Sequence, residues 1–195
     1  MKYVLFFLVL FAFVGCSKPV QEDVMHDAVN QIIGEMEGKG WEAEGSPSYG
    51  YLVDRSSAAS MIPITDEDKL DTFLSEETIR KYFSKEDIEA FKQQALKYKN
   101  MVYDKNKITA KKIISHNELD KLIQNRNAFW KEYESRYGKT GFYDISFPLF
   151  SADGTKMLVA IEHCRFGSSS SGYVCIFNKV NGRWVVGKPL YSYLS

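Results

Sequence analysis

Two dipeptides near the carboxyl end, Asp153-Gly154 and Asn181-Gly182, constrain the fold of this chain more than any other feature. Both favour turns that need positive φ, and both are flanked by runs of alternating apolar residues. Read as a two-residue turn, Asn181-Gly182 sets Val180 opposite Arg183 and Phe177 opposite Val186. Tyr173, Cys175, Phe177, Trp184 and Val186 then share one face, and Val174, Ile176, Val180 and Val185 the other. By the same parity Met157, Val159 and Ile161 oppose Leu158 and Ala160. Both faces of such a sheet are apolar and need cover. Helices serve one face. The other calls for the N-terminal segment, the long loop at 38–64 or a protein partner at an apolar sheet face.

The residues upstream read as helices and connectors that pack on this sheet. Val24, Met25, Ala28, Val29, Ile32, Ile33 and Met36 recur at helical spacing, which predicts a helix over 20–37. Residues 38–64 are rich in Gly, Ser and Pro and form a long loop in which Tyr49–Val53 reads as a short strand. Helix starts follow at Thr65, Ser75 and Ser84, the last a capping box with Asp87 at its fourth position. A strand over 108–114 precedes a second capping-box spacing at Ser115 and Glu118. One helix is then expected to run as far as Gly138. The fold class is therefore α+β, N-terminal helices packed on a C-terminal antiparallel β-meander. A chain of 195 residues is long enough for one such domain with a real core.

The amino end is of another kind. Lys2 precedes an apolar run from Tyr3 to Val14, too short for a permanent membrane span. Gly15 and Cys16 follow it directly. This stretch resembles a bacterial lipoprotein signal peptide, and Phe13-Val14-Gly15-Cys16 resembles its lipobox, with Phe13 where Leu is usual. The resemblance implies that residues 1–15 are removed and that Cys16 is acylated. Residues 16–19 then form the lipidated N-terminus and tether, and 20–195 the single domain. The expected partner is the membrane, through the lipids on Cys16. The expected location is the bacterial cell envelope, with Ser17 favouring the outer membrane.

Composition excludes one class of partner. Lys and Arg together number 25, as do Asp and Glu, so the chain lacks the basic excess of a nucleic-acid binder. Reactive residues cluster in the last third. Cys164 and Cys175 bracket a Gly/Ser loop between neighbouring strands. In an oxidising compartment a hairpin that joins them is the favoured disulfide candidate, with free thiols, or a metal-binding or nucleophilic role, as the alternatives. Glu162-His163-Cys164 looks like a ligand set, but in a strand His163 points away from the other two. No spacing typical of zinc ligands is present, so neither a metal nor another cofactor is expected. Gly167 to Gly172 lacks the Lys-Ser/Thr and helix of a phosphate-binding loop. His26 is expected on the solvated face of its helix, and His116 at a helix entry. No residue is assigned a catalytic role.

Residues 130–143, followed by I-S-F-P-L-F-S-A-D-G-T-K-M-L-V-A and by Lys179-Val180-Asn181-Gly182-Arg183-Trp184, resemble a group of bacterial envelope proteins of unknown function. The resemblance covers about residues 108–195 and carries over no catalytic residues. It implies a secreted or lipid-anchored domain. A non-catalytic binding or structural module at the membrane surface is the first functional expectation. The alternatives are an envelope hydrolase using His163, with Glu162 or the serine loop nearby, and a small-ligand binder with a pocket between sheet and helices.

Overall fold

The computed structural model describes residues 22–39, 49–56, 62, 74–167 and 170–194. The leader, Cys16, the helix start at Thr65 and Ser168–169 lie outside the described residues. The described chain is α+β. Five helices, α1 (Glu22–Gly38), α2 (Glu76–Arg80), α3 (Lys85–Tyr98), α4 (His116–Ile123) and α5 (Phe129–Tyr137), surround one seven-stranded sheet. Its strands are β1 (Tyr49–Val53), β2 (Lys112–Ile114), β3 (Gly141–Ile145), β4 (Leu149–Phe150), β5 (Lys156–Cys164), β6 (Ser170–Val180) and β7 (Arg183–Leu194). The spatial order is β2-β1-β3-β5-β6-β7, with β4 paired to β5.

The C-terminal strands form the expected antiparallel meander. Asn181 (φ 50°) and Gly182 (φ 80°) make the two-residue turn, with Val180 opposite Arg183 and Phe177 opposite Val186. The sheet is nevertheless mixed. β1 and β2 enter from the N-terminal half and run parallel to β3, a pairing that local alternation does not encode.

Both faces of the meander are covered from within the chain. Met25, Ala28, Val29, Ile32, Ile33 and Met36 of α1 bury against Val159, Ile161, Cys175, Phe177 and Trp184. Each such side chain contributes roughly 1.5–3 kcal/mol of transfer free energy, so this stripe holds α1 firmly on the sheet. On the other face Ile79, Phe83, Ile88 and Phe91 of the α2–α3 region pack on Leu158, Ala160, Val174 and Ile176, with Ile62 from the long loop. One face is thus covered by α2 and α3, and the other by α1 of the N-terminal segment, one of the covers the sequence allowed beside the long loop and a protein partner. A third cluster joins α4 and α5 to β1 and β3 through Leu119, Leu122, Tyr133, Val53 and Phe142.

Local signals were met unevenly. Ser84 caps α3 reciprocally with Asp87, as the capping box requires. Ser115 makes no side-chain cap bond; Asp54 accepts from the His116 N–H at 2.8 Å instead. The single helix expected up to Gly138 is two helices, broken between Ile123 and Phe129. The strand expected over 108–114 is confined to Lys112–Ile114. His26 is buried, not solvated. Its Nε2 accepts from the Asp104 N–H at 3.0 Å, and its ring meets Tyr103 edge-on.

Candidate functional site

His163 lies on the α1 face of β5 and is 2% exposed. Tyr49, Tyr143 and Tyr173 surround its ring in edge-to-face contacts at 5.3, 4.9 and 5.7 Å. Burial, and then the nearby Arg165 charge, lower its pKa to about 4, so the ring is neutral through the physiological range. Strand register sets Ser171 directly opposite. No hydrogen bond joins the two, and Nε2 has no hydrogen-bond partner, among the described residues. Among the described residues the ring is thus enclosed by three tyrosines.

Strand parity separates His163 from Glu162 and Cys164, as expected. The disulfide expectation is corrected. Cys164 pairs in register with Ser170 and Cys175 with Val159, so five positions of β5 separate their levels. At about 3.3 Å per residue this exceeds the Cα separation of a bridge. The two also face opposite sides, Cys175 in the α1 core and Cys164 beside the α4–α5 cluster. Both are free thiols. Burial pushes Cys175 up to about 12. Cys164 is raised further, by burial first and then by Glu162 and Asp144. Neither suits a thiolate nucleophile.

The arrangement with most chemical character is a row that the sequence did not advertise. Asp144, Glu162, Gly172 and Tyr193 are successive register partners across β3, β5, β6 and β7. They lie on the face opposite α1, between the α2–α3 cluster, which ends at Ala160, and the α4–α5 cluster, which includes Phe142 and Cys164. Two apolar covers meet there, and the seam is polar. Asp144 is buried and accepts from the Ser56 hydroxyl. Tyr193 donates to Glu162 and accepts from Ser170. Burial first, then that bond to Glu162, raises the Tyr193 phenol well above its ordinary range.

Gly172 makes this reach possible, because a Cβ there would lie 2.0 Å from Tyr193 Cε1. The row places two carboxylates side by side with a hydroxyl donor for each. It ties the edge strand β7 to the sheet. Among the described residues no group of three or more His, Cys, Asp or Glu is placed to hold a metal ion. No motif marks the row. Only register across three strand pairs, one of them bulged, brings it together.

Fold and site together define an α+β domain with a mixed sheet and a polar seam under its helices. No protein-family description, curated protein or solved structure matches the chain.

Proposed function

We propose that this protein is a lipid-anchored domain of the bacterial envelope, attached through Cys16, that works as a non-catalytic binding or structural module. The observation that carries this reading is the apolar leader ending at Gly15-Cys16, only six positions before α1 begins at Glu22. Two or more acyl chains on Cys16 supply stable attachment, since each buried CH₂ contributes about 0.8 kcal/mol. Ser17 favours the outer membrane. The chemistry of the folded residues supports the non-catalytic half of the reading. His163 is enclosed, both thiols are raised by burial, and each seam carboxylate has a hydroxyl donor.

Intact mass spectrometry of the membrane-extracted protein tests the anchor. The expected product begins at Cys16 and carries diacylglycerol and an N-acyl chain. An unmodified chain, or one beginning elsewhere, refutes the reading.

A further inference from the structure

Helix α1 fixes which end of the sheet lies nearest the anchor. Gln31 accepts from the Trp184 N–H at 3.1 Å and Glu35 from the Val186 N–H at 3.3 Å, so α1 runs in the direction in which β7 begins. The chain after α3 confirms the sense. Lys107 pairs with Asp23 near the start of α1, and Lys111 with Glu37 near its end. The amino end of α1 therefore lies at the end of the sheet that carries the β4–β5 and β6–β7 turns. A Lys179 N–H to Thr155 carbonyl bond at 2.8 Å holds those two turns together. The opposite end carries Gly141, Cys164, Ser170 and Leu194.

Distance decides which end meets the bilayer. Glu22 follows Cys16 by six positions, so the acylated residue lies within about 20 Å of it. The twelve residues of β7 span about 40 Å at the usual rise. The lipids reach the turn end and not the far one.

The turn end has a surface suited to headgroups. Lys179, Val180, Asn181, Gly182 and Arg183 are all exposed, and Val180 is 49% exposed at the tip. Neither Lys179 nor Arg183 has a carboxylate partner among the described residues; Lys179 Nζ instead sits 5.3 Å over the Trp184 ring. Of the acids at this end, Glu22 and Asp27 of α1 are exposed, and two others are engaged. Asp23 pairs with Lys107 at 2.8 Å, and Asp153 accepts from Ser151 and Thr155 within its own turn.

We infer that the β6–β7 turn is a membrane contact, with Val180 entering the headgroup layer and Lys179 and Arg183 meeting anionic headgroups. The inference rests on acylation of Cys16. It sets the Asp144–Tyr193 row in the half of the molecule away from the bilayer.

The test uses the acylated full chain on phosphatidylethanolamine–phosphatidylglycerol vesicles containing brominated lipid. An environment-sensitive dye is placed at Val180→Cys or, at the far end, at Lys139→Cys, the native thiols being sheltered. Flotation is measured first. Co-flotation with strong quenching at position 180 and little at 139 is the expected result. Lys179→Gln with Arg183→Gln keeps flotation but lowers the quenched-to-unquenched ratio at position 180, by roughly fivefold per charge removed. Equal or reversed quenching in a chain that floats overturns the orientation while leaving the anchor intact. A chain that does not float overturns the anchor, and the orientation with it.

Discussion

Tyr193 leans across Gly172 on the neighbouring strand to hydrogen-bond Glu162 on the next, and a single methyl at Gly172 would stand 2.0 Å from Tyr193 Cε1. Gly172→Ala therefore has to displace the tyrosine. The expected cost is about 1–3 kcal/mol, the usual range for inserting a carbon into filled space. In a Tyr193→Ala background the same substitution costs clearly less, because its obstacle is gone. Urea unfolding of the four proteins checks this. Equal costs in the two backgrounds would mean that Tyr193 is not what Gly172 accommodates.

His163 makes stability depend on pH. Its folded pKa of about 4 lies below the ordinary 6.5, so the folded state binds the proton less readily than the unfolded one. Stability is full above pH 6.5 and falls as the pH drops from there towards 4. The total loss is on the order of 3 kcal/mol. Histidine ring shifts by NMR should show the His163 imidazole still neutral near pH 5. His163→Phe should flatten the decline between those limits. A His163 resonance that titrates near 6.5 refutes the enclosed geometry.

The two thiols give a direct check on strand register. Non-reducing mass analysis is expected to find Cys164 and Cys175 unbridged. Alkylation of the native protein at pH 8 should be slow at both, and rapid in denaturant. A Cys164–Cys175 bridge would require β5 and β6 to pair about five residues away from the register described.

Asp87 serves two elements at once. Its Oδ2 accepts from the Ser84 N–H at 2.9 Å, and its Oδ1 from the Ala152 N–H of the β4–β5 turn at 2.8 Å. Ser84→Ala removes only the cap and should cost about 1 kcal/mol. Asp87→Ala removes the reciprocal cap bond and the tie to the turn, and is expected to cost more. Thermal unfolding midpoints rank the two, and a reversed order would deny the tie.

The sequence by itself determined what depends on neighbours along the chain. The Asn181-Gly182 turn carries its φ requirement in its residue types, and from it the pairing of Phe177 with Val186 follows by counting. Alternation then assigned Met157, Val159, Ile161, Tyr173, Cys175, Phe177, Trp184 and Val186 to one face and Leu158, Ala160, Val174 and Ile176 to the other, as the structure has them, and separated His163 from Cys164. The α1 stripe from Met25 to Met36 and the Ser84–Asp87 box were legible for the same reason, helical period and capping being local, though Val24, expected in the stripe, is exposed.

Tertiary structure decided whatever needs a partner distant in sequence. Counting from the Gly/Ser loop suggested that Cys164 meets Cys175, but the register of β5 and β6 is set by the burial of whole faces, and it puts Ser170 there instead. His26 sits on the polar side of α1's pattern, yet the loop around Asp104 folds over it and supplies its hydrogen bond from 78 positions away. The parallel entry of β1 and β2, and the closing of the second face by α2 and α3, depend on which elements compete for the same apolar surface. The polar row is the clearest case. Asp144, Glu162, Gly172 and Tyr193 are unremarkable along the chain, and only three successive strand pairings make them neighbours.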